Sequence, residues 1–134
     1  ETIKCLNALE INYGASHSEF KITPDGEVFV IEVGARMGGD FIGSHLVELS
    51  TGYDFLQGVI NISLGKYEAP ILESNNFSGV YFLCKETEHI LPYFSQENNF
   101  VIQKEIQNSN LKNITNSNDR SGYLIYQANK RIQL

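Results

Sequence analysis

At 134 residues and 42% hydrophobic content the chain fits one domain and can bury a core, which excludes a wholly disordered tail. Sixteen acidic residues against ten basic ones give a net charge of −6 and exclude a nucleic-acid surface, which needs clustered Lys and Arg to replace phosphate counterions. There is no run of about 18 apolar residues to span a membrane, and Cys5 and Cys84 lack metal-ligand spacing, so a reduced, cytoplasmic protein is expected.

In chain order, residues 1–11 carry Ile3, Leu6, Leu9 and Ile11 at helical spacing with no capping residue ahead of them. The chain therefore reads as starting within a helix, as part of a longer protein. Residues 16–22 and 27–33 read as two strands joined at Thr23-Pro24-Asp25-Gly26, where proline presets φ and glycine accepts a positive one. Asp40 is the expected N-cap of a helix running to Ser50 and stopped at Gly52. A second helix over residues 54–64, stopped at Gly65, is expected to bury Phe55, Leu56, Val59 and Ile60.

Beyond residue 78 the pattern turns to β, with strands expected over 79–85, 89–91, 100–106 and 123–128. Residues 108–120 are polar with few apolar anchors and are expected to be the most mobile. The Asn-x-Ser/Thr triplets at Asn61, Asn76 and Asn113 are read as chance in an Asn-rich chain without a secretory leader. The fold class is α+β, with a largely antiparallel sheet and packed helices over residues 1–76 and a β-rich region over 77–134.

The hairpin sets Glu19 and Glu32 on facing strands, and parity decides whether they meet. A loop of residues 23–26 makes paired numbers sum to 49, a six-residue loop makes them sum to 51, and both sums are odd. Either register puts the carboxylates on one face, opposite at roughly 5 Å or diagonal at roughly 7–8 Å. Phe20, Ile22, Phe29, Ile31 and Val33 then form the other, core face, while Val28 and Val30 share the carboxylate face and call for cover by a nucleotide or a second layer. Two close carboxylates repel, and a cation between them removes the repulsion; their oxygen ligands suit Mg²⁺.

Directly after the strand comes Gly34-Ala35-Arg36-Met37-Gly38-Gly39-Asp40. Arg36, four residues past Glu32, can turn its planar fork to the same site and grip a carboxylate or phosphoryl oxygen. Gly38 and Gly39 let backbone N–H groups approach an anion at a helix start. A carboxylate pair, an arginine and such a turn point to chemistry on phosphate and carboxylate groups. His17 shares the Glu19 face at the strand entrance, as a structural hydrogen-bonding group or as a substrate contact. Lys21 reads as a solvated charge, His45 and His89 as ordinary histidines, and Asp54 as a helix cap.

The runs Asn12-Tyr13-Gly14-Ala15-Ser16-His17-Ser18-Glu19-Phe20, Val30-Ile31-Glu32-Val33-Gly34-Ala35-Arg36-Met37-Gly38-Gly39-Asp40 and Ser50-Thr51-Gly52-Tyr53-Asp54 resemble the C-terminal part of the ATP-grasp domain, in its amino-acid ligase branch. Asp119-Arg120-Ser121-Gly122-Tyr123-Leu124-Ile125 resembles the β-rich tail that follows it. The resemblance implies an ATP-dependent ligase that activates a carboxylate as an acyl phosphate for attack by an amine. It implies ATP and Mg²⁺, with Mn²⁺ as an alternative, as cofactors, and a small-molecule carboxylate and amine as substrates. It also implies a partner in the N-terminal remainder of the parent chain, since the lysine-bearing strands and glycine-rich flap that cover ATP have no counterpart here. By position, Glu19 and Glu32 match the carboxylates that hold Mg²⁺ between the ATP phosphates. Arg36 matches the arginine that stabilises the acyl phosphate, and Gly38 and Gly39 the loop that receives substrate. Many members carry Asn two residues after the second Glu, where this chain has Gly34, which leaves the ligands of a second metal open. The alternatives are a non-catalytic binding module and a relative of biotin carboxylase or carbamoyl-phosphate synthase.

Overall fold

Pro24-Asp25-Gly26 is the strongest local turn signal in the first half, and in the computed structural model, which describes residues 1–134, it closes a three-residue hairpin loop. The Thr23 N–H donates to the Glu27 carbonyl at 2.9 Å, the Gly26 N–H donates to the Thr23 carbonyl at 2.9 Å, and Gly26 takes φ 90°, which costs a glycine little. The turn joins β1 (His17–Ile22) to β2 (Val28–Gly34) in an antiparallel pair.

The register differs from the uninterrupted ladder expected. Next to the turn Ile22 faces Val28, Lys21 faces Phe29 and Phe20 faces Val30. A β-bulge then passes over Ile31, and beyond it Glu19 faces Glu32, Ser18 faces Val33 and His17 faces Gly34. Phe29 consequently shares a face with Lys21 and Glu19, and Val28 and Val30 stand with Phe20 and Ile22, the reverse of the expected assignment for these three β2 residues. Neither face is a packed core: Ile22, Val28, Phe29, Val30 and Ile31 are between 42% and 69% exposed.

Helix α1 (Thr2–Ala8) precedes the hairpin. After it, a π-helical turn (Ile42–Leu46) leads into α2 (Val47–Thr51), which ends at Gly52 with φ 77°. Asp40 is not the N-cap expected of it: Asp40 and Phe41 have φ 51° and 65°, and the helical turns begin only at Ile42. Helix α3 (Phe55–Ser63) opens on Asp54, whose side chain accepts the Gln57 N–H at 2.8 Å, a true cap. Leu56 and Ile60, expected to be buried, are 42% and 46% exposed.

The second half forms β3 (Phe77–Leu83), β4 (Val101–Ile106) and β5 (Gly122–Ala128), antiparallel in the order β3-β5-β4. As the central strand, β5 is paired on both edges, and Tyr123, Leu124, Ile125 and Tyr126 are buried in the core with Leu83, Cys84 and Ile90. Residues 89–91 form no strand. The Thr87 hydroxyl donates to the Phe82 carbonyl at 2.7 Å and accepts the Cys84 N–H at 3.0 Å, turning the chain at once after β3. A 3₁₀ turn (Glu88–Ile90) follows, and Pro92 then starts α4 (Pro92–Ser95), where its fixed φ suits a first helical turn.

Residues 108–120, expected to be mobile, are pinned by hydrogen bonds. The Ile114 N–H donates to both Glu86 carboxylate oxygens, at 3.1 and 3.2 Å, and the Lys85 N–H donates to the Lys112 carbonyl at 2.9 Å. Asp119 closes a capping box with Asn116 around the 3₁₀ turn Ser117–Asp119. The chain comprises two compact units: Glu1–Ser44 with Asp54–Pro70 carries the hairpin, and His45–Tyr53 with Ile71–Leu134 carries the three-stranded sheet.

Candidate functional site

The bulge decides the site. Without it, the register set by the turn would put Glu19 opposite Ile31 and send Glu32 to the other face; passing over Ile31 brings Glu19 and Glu32 directly opposite. Cross-strand partners have Cβ atoms roughly 4.5–5.5 Å apart, so two carboxylates project side by side into solvent from this exposed pair.

Arg36 folds back on one of these carboxylates, Glu32. Its Nη2 lies 2.5 Å from Glu32 Oε1, and its Nη1 donates to the Met37 carbonyl at 3.0 Å. The Arg36 and Glu32 side chains are 56% and 49% exposed, so the pair contributes at most about 1 kcal/mol. Gly34 lies beside the pair: a Cβ there would stand 3.4 Å from Arg36 Cγ and 3.7 Å from Glu32 Oε1, in ordinary contact with both.

Gly38 approaches the hairpin closely. A Cβ on it would lie 2.9 Å from Ile42 Cγ2 and 3.0 Å from Cδ2 of His17, so only glycine fits without movement. His17 Nδ1 is buried without a hydrogen-bond partner, as is Ser18 Oγ. Gly39 is exposed, and nothing lies within 4 Å of a Cβ built on it. The helix start is less open than expected: the Ile42 and Gly43 N–H groups donate to the Gly39 and Gly38 carbonyls at 2.9 and 3.4 Å. The two left-handed residues that follow the glycines, Asp40 and Phe41, each carry about 1–2 kcal/mol of backbone strain.

All the residues singled out from the sequence, His17, Glu19, Glu32, Arg36, Gly38 and Gly39, fall within one compact unit and around one end of one hairpin. What spacing missed is the contact of His17 with Gly38 and the placement of Phe29 on the carboxylate face; residue types carry no signal for either. No three His, Cys, Asp or Glu side chains converge anywhere in the chain. Two carboxylates nonetheless fit Mg²⁺, which takes one or two from protein and completes its octahedron with water and phosphate oxygens. The guanidinium on Glu32 already stands where a cation is wanted.

Comparison with known proteins bears on the fold. No protein-family model matches the sequence, and no curated protein does. Several solved structures are similar, two of them as follows. Phosphoribosylglycinamide synthetase from Anaerococcus prevotii matches with a TM-score of 0.72 and 16% identity over 95% of this chain and 35% of that one. L-amino acid ligase from Bacillus licheniformis matches with a TM-score of 0.69 and 23% identity over 93% of this chain and 33% of that one. The fold is therefore that of part of an ATP-grasp domain, as the sequence resemblance implied. This chain spans about a third of the length of either neighbour.

Proposed function

We propose that this chain is the C-terminal portion of an ATP-dependent carboxylate–amine ligase that activates a carboxylate as an acyl phosphate and joins it to an amine, with an amino acid as one substrate. The observation that carries the reading is Glu19 directly opposite Glu32, with Arg36 on the Glu32 carboxylate. Residues 1–76 correspond to the end of the ATP-grasp core and residues 77–134 to a β-rich subdomain. The parent works in the cytoplasm, and the 134-residue chain is inactive alone, since the remainder of the parent supplies the other walls of the ATP pocket.

In this reading Glu19 and Glu32 hold Mg²⁺ (or Mn²⁺), and the bound ion supplies charge neutralisation for the ATP phosphates. Arg36 orients the carboxylate oxygens and stabilises the negative charge that accumulates as phosphate is transferred and the amine attacks. Gly38 and Gly39 let the substrate approach the backbone, and His17, against Gly38, is the remaining substrate contact in this reading. Gly34, in place of a third oxygen ligand, favours a second reading as a non-catalytic binding module.

ADP release by the parent protein, with Mg-ATP and paired amino acids, separates the two. Turnover that depends on substrate and is lost in Glu32→Ala and Arg36→Ala supports the ligase. A parent that binds Mg-ATP or an amino acid yet releases no ADP with any pair overturns it in favour of the module.

A further inference from the structure

We infer that Arg36 is an internal cation that occupies Glu32 until a metal displaces it, so that metal binding at the carboxylate pair frees the guanidinium for its anionic ligand. This rests on the metal reading of Glu19 and Glu32 proposed above. Three observations carry it. The guanidinium is not aimed at open space: Nη2 is 2.5 Å from Glu32 Oε1, within reach of a charge-assisted hydrogen bond. The guanidinium stem lies along Gly34, where a Cβ would stand in ordinary contact with both partners, 3.4 Å from Arg36 Cγ and 3.7 Å from Glu32 Oε1. The pair is also half exposed on both sides, so it is weak enough to be exchanged.

Exchange follows from charge. With no metal, two facing carboxylates repel, and the arginine relieves that repulsion at Glu32. A divalent ion between Glu19 and Glu32 relieves it for both and takes the lone pairs that Nη2 now uses. The positive guanidinium is then repelled by the ion and, four residues along a glycine-bearing loop, free to turn to a phosphoryl or carboxylate oxygen. A site built this way binds metal more weakly than its carboxylates alone would, and couples metal occupancy to the availability of the arginine.

The test is Mn²⁺ binding to the 134-residue chain without nucleotide, read by electron paramagnetic resonance of free Mn²⁺, in wild type, Arg36→Ala, Arg36→Lys and Glu32→Gln. Loss of a competing exposed ion pair predicts two- to fivefold tighter Mn²⁺ binding in Arg36→Ala, roughly the range that an exposed pair of up to about 1 kcal/mol allows. Arg36→Lys is expected to lie between Arg36→Ala and wild type, because the ammonium lacks the planar fork, and Glu32→Gln to lose binding. Wild-type and Arg36→Ala proteins that bind Mn²⁺ equally, or weaker binding in Arg36→Ala, overturn the inference while leaving the metal site standing. Wild-type and Arg36→Ala proteins that both fail to bind Mn²⁺ overturn the metal reading, and the inference with it.

Discussion

Gly38 lies against His17 so closely that a Cβ on the glycine would sit 3.0 Å from the imidazole Cδ2, and 2.9 Å from Ile42 Cγ2 on its other flank. The adjacent Gly39 has open space around it. Gly38→Ala therefore overpacks the loop, with an expected loss of about 1–3 kcal/mol of stability, whereas Gly39→Ala costs at most a few tenths, by the scale of exposed substitutions. Urea unfolding of both variants checks this; equal losses would mean that the contact with His17 does not constrain the loop.

Gly34→Asn starts an amide side chain from a Cβ in contact with both Arg36 and Glu32. It adds an oxygen near the carboxylate pair and displaces the guanidinium, so Arg36→Ala on the Gly34→Asn background should change Mn²⁺ affinity less than it does on wild type. A double-mutant cycle measures this coupling, and strict additivity would show that Gly34 and Arg36 act independently.

Gly122 begins the central strand, and a Cβ there would run into the Glu105 carbonyl oxygen, a backbone atom held in the ladder. Gly122→Ala is expected to cost about 3 kcal/mol or more, because backbone cannot give way as a side chain can. Gly26→Ala, at φ 90° in an open turn, should cost only about 1–2 kcal/mol. Thermal unfolding ranks the two, and the opposite order would place the strain in the turn instead of the sheet.

The Thr115 hydroxyl, then the Thr115 and Asn116 amides, hold the Asp119 carboxyl below its ordinary range. The Glu86 carboxyl is lowered by its own backbone N–H, then by Cys84 and by the Ile114 amide. A carboxyl lowered in the folded state contributes stability above its unfolded pKa, near 4, and loses it as pH falls through the folded value. Tm is therefore expected to hold from neutral pH to about 5 and to fall below about 4, with part of that fall absent in Asp119→Asn. An unchanged acid limb in Asp119→Asn would show that the capping box does not contribute.

Much of the local structure was legible because single residues enforce it. Pro24 and Gly26 specify the turn, Asp54 caps α3, and Gly52 and Gly65 take the left-handed conformation that ends or follows a helix. The candidate site was legible for a related reason: Glu19, Glu32 and Arg36 lie close along one hairpin and its exit loop, so covalent connection keeps them near one another. Less was readable where polar side chains redirect backbone. Thr87 captured the Phe82 carbonyl and the Cys84 N–H and turned residues 88–90 into a 3₁₀ helix, although their apolar pattern fits a strand equally well.

Residue types and their spacing thus determined that a hairpin forms and which acidic and basic groups it carries. The facing of Glu19 and Glu32 was decided by the three-dimensional ladder: the three-residue turn set one parity, and the bulge at Ile31 restored the other before the carboxylates were reached. A bulge depends on strand twist and on which backbone N–H and C=O groups find partners across the sheet, and alternation of side chains along one strand does not encode that. The exchange of Phe29 with Val28 and Val30 between the two faces follows from the same slipped residue.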